Sequence, residues 1–129
     1  MDDPLDEAFR PVAKDLAACG MSAALSLADP SLGVSGSRTA WLLLNGARIG
    51  LVAAVLGDAA GWQTGVVANQ VQDLIHDNVR SPDGQVVTWP RCLITGHRHP
   101  MTALAESSVW VCPSDETVSI AIGDYQPIN

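Results

Sequence analysis

Trp89-Pro90-Arg91-Cys92 opens a stretch that continues through Leu93-Ile94-Thr95-Gly96 to His97-Arg98-His99-Pro100, and closes with Val109-Trp110-Val111-Cys112-Pro113-Ser114-Asp115-Glu116. Two of the three cysteines and two of the three histidines of the chain fall within it. Thiolates and imidazoles can share one ion only if they converge at about 2.0 to 2.3 Å on a tetrahedral centre, which zinc ribbons achieve with two tight turns presented at hairpin ends. Gly96 lets the first turn bend, and His97 and His99 share a face if that segment is extended. Met101 to Ala105 and Val109 to Val111 should pair around Glu106-Ser107-Ser108, a hairpin that returns Cys112 to the side of Cys92. The second turn carries Asp115 where a Cys-Pro-x-Cys knuckle would carry its second thiol. The candidate ligands are therefore Cys92, His97, His99, Cys112 and Asp115, with Cys92, Cys112 and one histidine at the centre of the set and His99 or Asp115 as the fourth. The expected ion is zinc in a structural role. An unliganded thiol pair and a Cys92–Cys112 disulfide are the alternatives.

Upstream, Leu5, Phe9, Val12 and Leu16 recur at helical spacing after Asp2-Asp3-Pro4, and Gly20 stops the helix. Pro11 lies inside this span and should kink or divide it. From Met21 to Ala28 the apolar period changes to two, which predicts a half-buried strand. Asp29-Pro30-Ser31-Leu32-Gly33 ends it. Arg38 to Leu44 then meets Ala47 to Leu56 across Asn45-Gly46, the pair favoured in a type I′ turn because both central residues take positive φ. A three-stranded antiparallel meander follows, with Trp41 on one of its faces. Gly57 to Gly61 reads as punctuation, and Val67, Val71, Leu74, Ile75 and Val79 mark the apolar stripe of a second helix. His76, between Asp73 and Asp77 on its polar side, reads as a solvated surface group. Ser81-Pro82-Asp83-Gly84 turns the chain into a short strand at Val86 to Trp89, and Val118, Ile120 and Ile122 predict a final strand.

The fold class is α+β: an antiparallel meander packed by two helices, with a zinc-ribbon-like hairpin at the C-terminal end. Residues 1–129 read as a single domain, in which 1–88 hold the helices and meander and 89–129 hold the hairpin and final strand. With 129 residues, 47% of them apolar, the chain can bury a core without disulfides. The positive mean hydropathy of so acidic a chain fits a compact α+β core or an apolar face buried against another chain. Fourteen acids against seven bases argue against a general nucleic-acid binder, which needs a basic footprint. Arg80, Arg91 and Arg98 against Asp83 make the cysteine-histidine region locally positive, a solvated face or a seat for a small anion. No apolar run reaches the roughly 18 residues of a membrane span, and the acidic N-terminus lacks the pattern of a secretory leader, so cytoplasmic residence is expected. Reduced thiols follow. Cys19 reads as a small buried hydrophobe.

The pattern Trp89-Pro90-x-Cys92, His97-x-His99-Pro100, Trp110-Val111-Cys112-Pro113 and Ala121-Ile122-Gly123 resembles that of small uncharacterised actinobacterial proteins with a C-terminal ribbon. The likeness covers the second half of the chain. The usual form of that group is closer to Trp-Pro-x-Cys-Pro-x-His with a later His-Pro, whereas this chain has Leu93 after its first cysteine and a longer gap to His97. The resemblance implies a ribbon and no particular activity.

Other chemistry is excluded by spacing. Gly33-Val34-Ser35-Gly36 brings its second glycine one residue too early for a nucleophile elbow. Lys14, the only lysine, has no glycine-rich approach that would make a phosphate loop. A deaminase would need His-x-Glu followed by Pro-Cys-x-x-Cys. Two functional readings remain. The first is a non-enzymatic protein-interaction module, for example an acidic inhibitor or immunity-type binder of a basic partner, with self-association as a further option. The second is a small metal-dependent hydrolase in which Cys92, His97 and Cys112 leave a coordination position for water, with Asp115 or Glu116 as base.

Overall fold

A computed structural model of the chain describes residues 4–27, 37–55 and 60–127. The element order is α1 (Pro4–Ala18), β1 (Ala23–Leu27), β2 (Ser37–Leu44), β3 (Ala47–Val55), α2 (Ala60–Asn78), β4 (Thr102–Leu104), β5 (Val109–Cys112) and β6 (Asp115–Ala121). Strands β1-β2-β3 form one antiparallel sheet and β4-β5-β6 a second, an α+β arrangement. The expected turns at Asp29–Gly33 and Gly57–Ala59, and the Gly33–Gly36 loop, lie outside the described residues.

Helix α1 carries Asp6 and Glu7 in its first turn, where the amide dipoles favour negative charge. Leu5, Phe9, Val12 and Leu16 are all buried. Its end is closed by Gly20 at φ 81°, with the Met21 amide donating back to the Leu16 carbonyl at 3.0 Å. The helix runs unbroken through Pro11, so the expected division does not occur. Phe9 and Val12 anchor it in the core on either side, which offsets the one backbone hydrogen bond that proline removes.

The expected meander is present, with β2 paired antiparallel to both β1 and β3 and a register shift between Leu42 and Leu43 on the β3 side. Asn45 and Gly46 take φ of 51° and 86°, the conformation a type I′ turn demands. Asn45 also accepts from the Ser22 amide through Oδ1, fastening the turn to the start of β1. Ala40, Leu42 and Leu44 of β2 and Val52 and Ala54 of β3 are buried on the core face. Trp41 points the other way, under the Arg48 guanidinium at 4.5 Å.

Helix α2 begins at Ala60, so Gly61 belongs to it rather than to a break, and Gln63 and Thr64 are buried in its first turns. Val67, Val71 and Ile75 are buried, and Leu74 lies over Gly50, where a Cβ would collide with it. The helix serves both sheets. Gln70 accepts from the Ala53 amide at 2.9 Å and donates to the Ala53 carbonyl at 2.8 Å, capping the edge of β3 as a further strand would. Gly65 lets the other face come against the Ala105 backbone just after β4.

The segment 86–89 is not a strand. It is limited to a single bridge between Arg80 and Val86, and Val86 is 45% exposed. The Ser81–Gln85 turn consumes its own polar groups, with the Ser81 amide donating to the Gln85 carbonyl, and among the described residues no strand offers Val87 and Thr88 a ladder. The hairpin expected around Glu106–Ser108 is present, with Thr102 opposite Val111 and Leu104 opposite Val109. β6 adds the third strand. Trp89, Cys92, Met101, Trp110 and Tyr125 enter the same hydrophobic cluster as Val12, Leu16 and Val71, so both halves of the chain share one core. No helix among the described residues is long and apolar enough to cross a membrane.

Candidate metal centre

The site is assembled from a short backbone clasp and the end of β5. Pro90 to Cys92 lie antiparallel to His99 to Met101: Met101 N donates to Pro90 O at 2.8 Å, Cys92 N donates to His99 O at 3.2 Å, and Arg91 bridges Pro100. The intervening loop folds back through a His97 N to Ile94 O hydrogen bond of 3.1 Å and Gly96 at φ 90°. Positive φ at that position is easy only for glycine. On the other side, Cys112 opposes Asp115 across the Pro113-Ser114 turn, with a register shift at Val111/Cys112.

Cys92, His97, His99 and Cys112 converge as a result, each offering one ligand atom within 4.8 Å of all the others. His97 Nδ1 is 3.6 Å from Cys92 Sγ and 3.6 Å from Cys112 Sγ. His99 Nε2 is 3.0 Å from His97 Nδ1 and 3.8 Å from Cys112 Sγ. A tetrahedral ion with ordinary Zn–S and Zn–N bonds would set sulfur and nitrogen about 3.6 Å apart and two nitrogens about 3.4 Å apart. The three sulfur–nitrogen separations thus lie close to a tetrahedral edge, and the two nitrogens stand somewhat closer than an ion would set them. Cys92 and Cys112 are buried and the two histidines half-buried. Burial pushes the Cys92 thiol above its ordinary value, the largest cause being desolvation, with Cys112 acting in the same direction. Two thiolates side by side in this setting require a cation between them.

The surrounding groups hold the ligands in place. His99 Nδ1 pairs with its neighbouring Pro100 carbonyl at 3.0 Å, which assigns the proton to Nδ1 and leaves Nε2 as the ligand atom. Gln72 of α2 donates to Met101 O at 2.6 Å and to Trp89 O at 3.2 Å, clamping both strands of the clasp. Tyr125 Oη donates to Arg91 O at 2.7 Å, and burial pushes this phenol up to about 12. Trp89 and Trp110 pack edge to face with centroids 5.3 Å apart.

Beneath the site lies a buried carboxylate. Asp15 of α1 is 0% exposed and accepts three hydrogen bonds, from Trp110 Nε1 and Gly123 N at 2.8 Å and from Tyr125 N at 3.1 Å. Desolvation holds its pKa above the ordinary carboxylate value, although the three donors pull it down. Through Asp15, α1 is tied to β5 and to the segment following β6.

Of the residues singled out from the sequence, Cys92, His97, His99 and Cys112 come together, and Asp115 is not among them. The exposed Asp115 carboxylate accepts instead from Thr117 N at 3.1 Å and Thr117 Oγ1 at 2.6 Å, and these two bonds are the main reason its pKa lies low. His76 is exposed at the far end of α2, 3.5 Å from Asp77. Arg80 donates to the His76 and Val79 carbonyls and so caps α2 rather than facing the cluster. Asp15, Gln72 and Tyr125 were not anticipated. Asp15 did leave a trace, since it interrupts the apolar stripe of α1 between Val12 and Leu16, where a charge needs a buried partner. Comparison with family models, curated proteins and solved structures gives no match for this chain.

Proposed function

We propose that Cys92, His97, His99 and Cys112 hold one structural zinc ion in a ribbon-like hairpin, and that the chain is a cytoplasmic, non-enzymatic protein-interaction module. The observation that supports the zinc reading is the convergence of two sulfurs and two imidazole nitrogens within 4.8 Å of one another, with three sulfur–nitrogen separations of 3.6 to 3.8 Å near a tetrahedral edge. Tetrahedral S2N2 surroundings select zinc over harder divalent ions. Four protein donors close the coordination shell and leave no position for water, which favours a structural role over metal-assisted hydrolysis. The ion would fasten the 92–99 clasp to the end of β5. A net charge of −7 favours a basic protein partner. The likeness of the Trp89–Pro113 pattern to small actinobacterial ribbon proteins supports the ribbon alone.

Elemental analysis of protein purified without an affinity tag should give one zinc per chain. Cobalt(II) in its place should show the intense visible bands of a tetrahedral dithiolate site. Metal-free protein with Cys92 and Cys112 freely titratable would overturn the zinc reading. Ester or amide hydrolysis that rises and falls with metal occupancy would overturn the non-enzymatic one.

A further inference from the structure

Beside the cluster lies a cavity of about 240 Å³, whose lining includes Arg91, Thr95, His97 and Tyr125. The two histidines differ in what their second nitrogen meets. His99 Nδ1 is already paired with the Pro100 carbonyl. His97 places Nδ1 against both sulfurs and against His99, so with an ion on Nδ1 its proton sits on Nε2. The hydrogen-bond contacts of the His97 ring among the described residues all run through Nδ1, although metal-bound histidines as a rule donate their second N–H to an oxygen acceptor. Arg91 and Thr95 also belong to the lining, and Arg91 has no ion-pair partner among the described residues. Among the described residues no aspartate or glutamate lines the cavity, in a chain that has twice as many acids as bases. Asp115 is not in the lining, and its carboxylate is held by Thr117.

We infer that this cavity binds a carboxylate, which accepts from His97 Nε2–H and pairs with Arg91. Two thiolates, two neutral imidazoles and a divalent ion sum to zero charge, so the metal centre itself does not repel an anion. The small volume admits a short-chain acid or a single glutamate side chain of a protein. Arginine suits the recognition because its planar fork can meet both carboxylate oxygens.

This inference rests on the zinc reading, so metal content is measured first. The zinc-loaded, ¹⁵N-labelled full chain is titrated with propionate, and with neutral propionamide as control, while the histidine ring nitrogens are followed by NMR. Propionate should shift His97 Nε2 saturably and leave His99 Nδ1 in place, and propionamide should do neither. Arg91→Gln should weaken propionate by about tenfold with zinc content unchanged. A glutamate-containing peptide that moves the same resonance at lower concentration than propionate identifies a protein side chain as the source, and a response to propionate alone identifies a free acid. Zinc-loaded protein whose His97 Nε2 ignores both probes, or an Arg91→Gln chain that binds propionate unchanged, overturns the inference and leaves the zinc reading standing. Absence of zinc at the outset overturns both.

Discussion

The two antiparallel sheets are built to the same plan and held by different means. Strands β1 to β3 run 5, 8 and 9 residues, and their core face is continuous aliphatic surface from Ala40 to Ala54. Strands β4 and β5 have only 3 and 4 residues, and β6 buries little of itself. A ladder so short cannot hold its own register by hydrogen bonds and apolar area alone. The second sheet is fastened from outside: by Asp15 from α1, by Gln72 from α2, by the paired tryptophans, and on our reading by an ion. Where strands are long, packing sets the structure. Where they are short, named polar contacts and ligands do.

The contrast can be broken at several points. Asp15→Asn replaces an acceptor of three N–H groups by one that must turn an amide donor toward at least one of them, and should cost about 2 to 4 kcal/mol, read from urea midpoints. Its pH dependence has a definite sign. The folded pKa lies above the ordinary value of 3.8, so the folded chain keeps this proton where the unfolded chain has lost it. The contribution of Asp15 to stability therefore falls as pH rises from 3.8 through the folded value and is level above it. The stability difference between the native chain and Asp15→Asn, measured across that range, should show this decline. Gly65→Ala drives a methyl into the Ala105 backbone and should cost about 2 kcal/mol by the same measurement, separating α2 from the second sheet.

In the first sheet, Gly46→Ala meets open space but keeps a left-handed φ, so a loss of about 1 kcal/mol is expected in thermal melts, with no change in metal content. Smallest of all is Asp115→Asn. It weakens an exposed turn through Thr117 and should leave one metal ion per chain by elemental analysis. A loss of metal in this variant would return Asp115 to the ligand set.

The sequence carried these two regions unequally. The Asn45-Gly46 turn and the period-two run that became β1 are local signals, and here the neighbouring strands supplied the partners those signals need. The cysteines and histidines were visible as a group because those residue types are rare and were concentrated. What joins the second sheet to the rest was not legible, because Asp15 meets Trp110 across 95 positions and Gln72 meets Met101 across 29. Val86 to Trp89 failed in the opposite direction: two valines and a threonine carry strand propensity, yet with no partner beside them propensity forms no ladder.

Hydrogen exchange on the zinc-loaded chain before and after chelation tests the account most directly. Removal of the ion should strip protection from amides in 90–101 and 109–112, while those of Ala40 to Leu44 and Val52 to Ala54 keep most of theirs. Protection in 90–112 that survives complete removal of the metal would contradict the claim that an ion fastens the second sheet.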